Sequence, residues 1–142
     1  MPRCLLASVV IALGGALVWY LAPSPRTRTV AVPPAGATPE QVVLAYLDAL
    51  DAHDCDTVRR LTVPEERSWT RRWCRDVASA RHPRVLGTSF EGTRVGVGVS
   101  FDLTWRRLHD DGSMAPGDTS WGYTLQPVGP DGAWQVVDQG MG

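Results

Sequence analysis

The first pattern along the chain is an unbroken run of apolar side chains from Cys4 to Ala22, with no charged residue. About 20 apolar residues are what an α-helix needs to cross a bilayer core of roughly 30 Å. Arg3 precedes the run, and a short basic leader before an apolar stretch is typical of export. The run predicts a transmembrane helix over residues 4–22, with residues 1–3 cytoplasmic and the remainder outside the cell membrane. The alternative is a signal peptide, whose cleavage would release a secreted protein.

Residues 23–37 are rich in proline and short polar side chains. This composition favours an extended chain, so the segment is predicted to be a spacer between the membrane and a folded domain. The remaining residues, 38–142, are enough for one domain with one hydrophobic core.

Apolar residues recur at helical spacing once the spacer ends. Residues 38–41, Thr-Pro-Glu-Gln, combine an N-cap, proline at the first helical position and a capping-box partner. The helix they open is predicted to end near Ala52. Asp54 is a candidate cap for a short helix over Cys55–Leu61, and Pro64 is the predicted start of a third helix.

The period changes to two after Pro83. Apolar residues alternate with glycine and polar residues from Arg94 to Trp105, which is the strongest strand signal in the chain. Three shorter strands are predicted at Val85–Phe90, Trp121–Leu125 and Trp134–Asp138. Helices followed by antiparallel strands predict an α+β fold, with the N-terminal helices packed on a curved antiparallel sheet.

Charge is distributed unevenly along a chain whose net charge is −1. That net charge argues against a nucleic-acid partner. Residues 29–58 carry five acids and no base, whereas the segment Arg59–Arg84 carries eight arginines and three acids. The two segments either lie against each other or are simply solvated, or the arginines form a basic surface. Such a surface would suit an envelope protein or an anionic partner, such as lipid headgroups or a cell-wall polymer.

Cys55 and Cys74 are the two cysteines in the part of the chain predicted to be exported. In an oxidising compartment two cysteines of a small domain pair, so a disulfide is predicted. The histidines at positions 53, 82 and 109 show no ligand spacing. The sequence therefore predicts no metal site, no cofactor and no catalytic residue.

Several local segments together resemble a nuclear-transport-factor-2-like domain of the polyketide-cyclase-like kind. They are the capped helix with Tyr46–Leu50, the segment Asp54–Asp56, the pair Trp73-Cys74 and the terminal strand Trp134–Asp138. The likeness covers about residues 38–142 and is to small membrane-anchored or secreted proteins of actinobacteria. It implies a cone-shaped fold with a pocket between the helices and the sheet.

Aromatic side chains are the candidates to line such a pocket, although aromatic residues at these spacings more often belong to a core. Asp102 and Asp138 match no catalytic constellation and are predicted to be solvated or at a strand edge. The candidate lining residues are Tyr46, Trp69, Trp73, Trp105, Trp121, Tyr123 and Trp134.

Taken together, these patterns favour a membrane-tethered extracytoplasmic domain that is not an enzyme and that binds a partner or has a structural role in the cell envelope. The alternative is a small-molecule-binding protein, or a cyclase-like or isomerase-like enzyme that uses the cone pocket. That alternative rests on fold analogy alone.

Overall fold

The computed structural model describes residues 25–106 and 112–141. The apolar run Cys4–Ala22 lies outside these ranges, so the predicted membrane helix and its possible cleavage remain predictions. None of the helices within the described ranges is long and apolar enough to cross a membrane.

Three α-helices and one 3-10 turn occupy the N-terminal half of the domain. They are α1 (Pro39–Asp51), α2 (Cys55–Arg60), the 3-10 turn (Pro64–Glu66) and α3 (Arg67–Asp76). The capping box predicted before α1 is formed. The Thr38 hydroxyl accepts from the Gln41 amide at 3.4 Å, and the Gln41 side chain accepts from the Thr38 amide at 2.9 Å. Two otherwise unpaired backbone donors are thereby satisfied, which fixes the start of the helix.

Four strands form one antiparallel sheet in the order β1-β2-β3-β4. The strands are β1 (Val77–Glu91), β2 (Arg94–Trp105), β3 (Gly117–Val128) and β4 (Ala133–Gly140). The α+β class, with helices and a four-stranded antiparallel sheet, is therefore confirmed.

The first strand begins at Val77, directly after α3, and not at Val85 as the sequence predicted. His82 has φ = 53°, and the pairing with β2 shifts register between Arg81 and Arg84. Because His82 and Pro83 interrupt the alternation in the middle of β1, its first half shows no period of two.

One face of the sheet supplies most of the core. Val97, Val99 and Phe101 point from β2 towards the helices and are buried, as is Tyr123 of β3. The opposite face of β2 carries Gly96, Gly98, Ser100 and Asp102, in agreement with the predicted alternation. Leu47 and its buried neighbours on α1 pack against the apolar face.

The described part of the predicted spacer is packed against the domain at one end. The Thr27 amide donates to the Ala52 carbonyl at 2.9 Å, and Val30 is buried. Arg28 forms an ion pair with Asp48 at the surface of α1. Residues 27–30 therefore belong to the folded unit, which begins before residue 38.

Asp54 connects this segment to the helices. Its fully buried carboxylate accepts from the Val30 amide at 2.9 Å and from the Thr57 amide at 3.3 Å. The Arg26 Nε atom lies 3.3 Å from the same carboxylate. Burial alone would raise the pKa of Asp54, but these hydrogen bonds and the arginine outweigh it, and the pKa is lowered.

Candidate functional site

Tyr46 of α1 and Tyr123 of β3 meet at the centre of the core. Their ring centroids lie 5.2 Å apart with the planes tilted by 60°. Both residues are buried, and neither hydroxyl has a hydrogen-bond partner of proper geometry within the described residues. Burial raises the pKa of both hydroxyls far above the ordinary value, so they are neutral at physiological pH.

Three tryptophans fill the space between α3 and the sheet. Trp73 stacks on Trp121 with centroids 6.2 Å apart and meets the edge of Trp105 at 5.9 Å. The Trp105 indole donates to the Met114 carbonyl at 3.1 Å. The Trp73 and Trp121 indoles have no partner of hydrogen-bonding geometry among the described residues. These rings pack against one another, so this part of the interior is occupied by side chains.

The two remaining aromatic candidates lie nearer the surface. Trp134 is half-buried and packs against the core, whereas Trp69 is 39% exposed. Trp69 borders a small cavity of about 30 Å³, which is also lined by Thr70 and Gln139. A water molecule needs roughly 10–15 Å³ of such space, so this cavity has room for one or two waters. That the seven aromatic residues line a ligand pocket remains a prediction.

The cavity lies next to unpaired polar atoms. The side chains of Thr70 and Gln139 lie near the Tyr46 hydroxyl and act to lower its pKa, although less than burial raises it. The hydroxyls of Tyr46 and Thr70 and the amide oxygen of Gln139 are buried without a partner of hydrogen-bonding geometry among the described residues. Buried polar groups in this state are uncommon, and ordered water is one way to satisfy them.

Cys55 and Cys74 are within disulfide distance, as predicted. Their sulfur atoms lie 2.02 Å apart and their Cα atoms 5.7 Å apart. Cys55 begins α2, and Cys74 lies in the second half of α3. This pair joins the two helices where α3 turns its arginines outward.

The outer side of α3 carries a cluster of arginines that we call the arginine surface: Arg71, Arg72 and Arg75. Together with Ser68 and Cys55 they line an open cleft of about 430 Å³. The inner side of the same helix buries Thr70, Trp73 and Cys74, so spacing along the helix separates the two sets.

The three guanidinium groups differ in their surroundings. The Arg75 Nε atom lies 3.3 Å from the carboxylate of Asp76, and that of Arg72 lies 3.7 Å from the same group. Arg71 is exposed and has no ion-pair partner within the described residues. One carboxylate thus serves two arginines, which leaves net positive charge at the cleft.

The other five arginines of the predicted basic segment do not join this surface as one patch. Arg59 lies 3.4 Å from Asp56, and Arg67 donates to the carbonyls of Arg59 and Thr62. Arg81 and Arg84 belong to β1, where each lies 3.8 Å from an aspartate. The sequence therefore indicated the right segment, but the fold divides its arginines among α2, α3 and β1 and bonds Arg67 to backbone carbonyls.

A groove of about 590 Å³ crosses the face of the sheet opposite the helices. Its floor includes four glycines that pair directly from strand to strand: Gly87, Gly98, Gly122 and Gly140. Sequence reasoning missed this row because each strand contributes one glycine, and only the register brings them side by side.

The two aspartates considered from the sequence are both exposed. The Asp102 carboxylate accepts from the Nδ1 atom of His82 at 2.8 Å, and Asp138 borders the groove. Within residues 25–106 and 112–141, histidine, cysteine and acidic side chains form no group of three that could hold a metal ion.

Comparisons with known proteins give structural neighbours only. No family model matches the chain, and no curated protein is significantly similar to it. A SEC-C motif containing protein of Rhodopseudomonas palustris, known from a solution structure, aligns with a TM-score of 0.58 and 21% identity, over 78% of this chain and 82% of that one. A SEC-C motif containing protein of Psychrobacter arcticus aligns with a TM-score of 0.47 and 11% identity, over 85% of this chain and 64% of that one.

The Rhodopseudomonas palustris neighbour corrects the resemblance drawn from the sequence. That solved structure is a SEC-C motif containing protein and not a nuclear-transport-factor-2-like domain. The residues behind that resemblance were a helix cap, two cysteines and a tryptophan-containing strand. Such local patterns determine where helices and strands begin but do not identify a family. At 21% identity the likeness shows the fold and nothing about activity.

Proposed function

We propose that this chain is a membrane-tethered extracytoplasmic domain, not an enzyme, that binds a phosphate-bearing partner of the cell envelope through the arginine surface. The observation that carries the proposal is the open cleft beside Arg71, Arg72 and Arg75. Guanidinium groups bind phosphate in bidentate fashion, and several on one helix face can contact successive phosphates.

The compartment in this proposal rests on two features. The apolar run Cys4–Ala22 has the length and composition of a membrane anchor. The Cys55–Cys74 pair at disulfide distance suits an oxidising environment outside the cytoplasm. An anchored domain keeps its arginine surface close to anionic headgroups and envelope polymers, where modest affinity is sufficient.

The described interior supports a binding role more than a catalytic one. The cavity beside Thr70 and Gln139 is about 30 Å³, too small for an organic substrate. The space between α3 and the sheet holds the stacked rings of Trp73 and Trp121. A cyclase-like or isomerase-like enzyme would need a cavity lined by titratable groups at this place.

The test is a titration of the full chain, held in neutral detergent, with fluorescent polyphosphate at low and high salt. The test variant is Arg71→Gln with Arg75→Gln, and the matched control is Arg81→Gln with Arg94→Gln, which removes the same charge from the strands. We expect the test variant to bind about tenfold more weakly than the wild type, and the control to bind less than about threefold more weakly. Equal loss in both variants would show that binding follows net charge and not the arginine surface.

A second arm separates the two sources of phosphate. The same proteins are compared in neutral micelles and in micelles doped with an anionic phospholipid, while polyphosphate is present as a competitor. If the arginine surface binds lipid headgroups, the headgroups in the doped micelles compete with polyphosphate and weaken its binding to the wild type. The residual binding of polyphosphate to the Arg71→Gln with Arg75→Gln variant should then be unaffected by the doping. A polymer site predicts that doping leaves polyphosphate binding by the wild type unchanged.

A further inference from the structure

The outer edge of β1 is open along its second half. β1 is the first strand in the sheet order, and no other described strand pairs with its far side. Between Arg84 and Glu91 this edge exposes large apolar side chains, with Leu86 61% and Phe90 75% exposed. A long, exposed apolar edge strand is a template for pairing with another strand.

Most of the usual protections of an edge strand lie in its first half; in the second half the Glu40 carboxylate of α1 accepts from the Thr88 hydroxyl at 2.6 Å. Pro83 and Arg81 lie there, and the Asp51 carboxylate accepts from the Ala80 amide at 3.1 Å. Residues 85–90 contain no charge and no proline. Because natural proteins use such residues to block edge pairing, their absence after Arg84 marks this part of the strand as a contact surface.

The register of β1 decides which of its residues share a face. Arg84 pairs with Ser100 and Glu91 pairs with Arg94 on β2. Ser100 and Arg94 are six residues apart and therefore point to the same side. Arg84 and Glu91, although seven apart, share that side because an irregularity between Val85 and Gly87 takes up one residue.

Val85 and Phe90 lie together on the helix-covered face of the sheet. Val85 pairs with Val99 and Phe90 pairs with Val95, which are four residues apart. Thr88, which pairs with Val97, lies at the midpoint of both sets. The second half of β1 is therefore self-complementary about Thr88. Arg84 and Val85 precede Thr88 along the strand, and Glu91 and Phe90 follow it at matching register positions.

We infer that the outer edge of β1 is a homodimer interface, in which two copies of the chain pair antiparallel about Thr88 into one eight-stranded sheet. In this arrangement Arg84 lies opposite the partner's Glu91, and Val85 lies opposite the partner's Phe90. Two-fold symmetry repeats each pair, as an isologous interface requires. Opposite charges and aromatic–β-branched pairs are both favourable neighbours across strands.

We assign a second copy of the chain to this edge because the residues that complement one another, Arg84 with Glu91 and Val85 with Phe90, all lie on the same strand. An unrelated strand could also pair with the open backbone. Such a strand would not require Arg84 and Glu91 to lie at equal distances from Thr88, counted by their partners on β2. Arg84 also lies 3.8 Å from Asp118. Because an ion pair between exposed side chains is weak, this contact does not prevent Arg84 from pairing with Glu91 of a second copy. The inference is independent of the arginine surface, which lies on α3.

Cysteine crosslinking of the full chain in neutral detergent tests the register directly. In a Cys4→Ser background, Thr88→Cys should give a disulfide-linked dimer under mild oxidation, since directly opposed residues in antiparallel strands have Cα atoms about 4.5–5.5 Å apart. Glu91→Cys alone should not crosslink, because the two copies of residue 91 lie far apart in this pairing. A mixture of Arg84→Cys and Glu91→Cys should crosslink into heterodimers.

Charge exchange gives a second measurement that needs no crosslink. Arg84→Glu should weaken the dimer about tenfold in sedimentation equilibrium, because it replaces two attractions by two repulsions. Arg84→Glu with Glu91→Arg should restore the dimer to within about threefold of the wild type. Two results would overturn the inference. One is equal crosslinking of Thr88→Cys and Glu91→Cys, which is expected if residues 4–22 alone hold the dimer together. The other is a wild type that is monomeric at about 100 μM.

Discussion

The Asp54 carboxylate and the hydroxyls of Tyr46 and Tyr123 are all fully buried, but they differ in their partners. Asp54 accepts from two backbone amides and lies against Arg26. The two hydroxyls have no partner of hydrogen-bonding geometry within the described residues. The first region is polar and satisfied, whereas the second is polar and unsatisfied.

The comparison shows which buried polar groups hold the fold together. Removing Asp54 would leave the Val30 amide without an acceptor and α2 without its cap. A buried donor left in that state costs about 1–3 kcal/mol. Removal of the Tyr46 hydroxyl leaves no comparable orphan, because no group in the described part of the chain makes a hydrogen bond of proper geometry to it. The two regions should therefore respond very differently to the loss of one polar group.

The largest effect is expected from Asp54→Ala. The substitution removes an N-cap, worth about 1 kcal/mol, and orphans the Val30 amide at about 2 kcal/mol. The free energy of unfolding of the full chain in neutral detergent should fall by about 3 kcal/mol, measured by urea denaturation. Asp56→Ala is the matched control, since Asp56 lies in the first turn of the same helix but is exposed, and it should cost less than about 1 kcal/mol.

The pH dependence identifies the charged form of Asp54 as the stabilising one. Its pKa is lowered in the folded chain relative to the ordinary value of 3.8, so the unfolded state binds the proton first as pH falls. The stabilisation is complete above that value and is lost as pH falls through the lower folded pKa. The difference in stability between the wild type and Asp54→Asn should therefore be constant near neutral pH and shrink below about pH 4. A difference independent of pH down to about 2 would contradict this.

The Cys55–Cys74 pair connects the two regions, since α2 begins at the Asp54 cap and α3 borders the aromatic interior. Closing a loop of this length is worth about 3 kcal/mol in the chain-entropy model. Cys55→Ser with Cys74→Ser should lower the free energy of unfolding by about 3 kcal/mol. Reductant should lower the free energy of unfolding of the wild type by a similar amount. Reductant should leave the double variant unchanged. A wild type that is insensitive to reductant would show that the bond is not formed.

The sequence was most informative where local chemistry decides the structure. The Thr38–Gln41 capping box, the Asp54 cap and the alternation of β2 follow from side chains close together along the chain, and all three are present as predicted. The first half of β1 was missed because His82 and Pro83 interrupt its alternation.

Contacts between segments that are distant along the chain could not be predicted from local patterns. The hydrogen bond from the Val30 amide to Asp54 joins residues 24 positions apart, and the segment of Val30 was predicted to be an extended spacer. The row of glycines across the sheet depends on register, which single strands do not specify. The arginines were found as a segment, but their division between α3 and β1 required the fold.

The smallest effects are expected from Tyr46→Phe and Tyr123→Phe. Each removes a buried hydroxyl that has no partner among residues 25–106 and 112–141, and each keeps the ring that fills the core. The free energy of unfolding should change by less than about 1 kcal/mol, towards greater stability, because an unsatisfied polar group is removed. Tyr123→Leu is the control for packing and should cost about 2 kcal/mol, since it leaves space at a fully buried position. If Tyr46→Phe instead costs more than about 1 kcal/mol, the hydroxyl is bonded to water in the cavity beside Thr70 and Gln139. In that case the aromatic interior is satisfied in the same sense as the Asp54 region, with solvent in place of backbone amides.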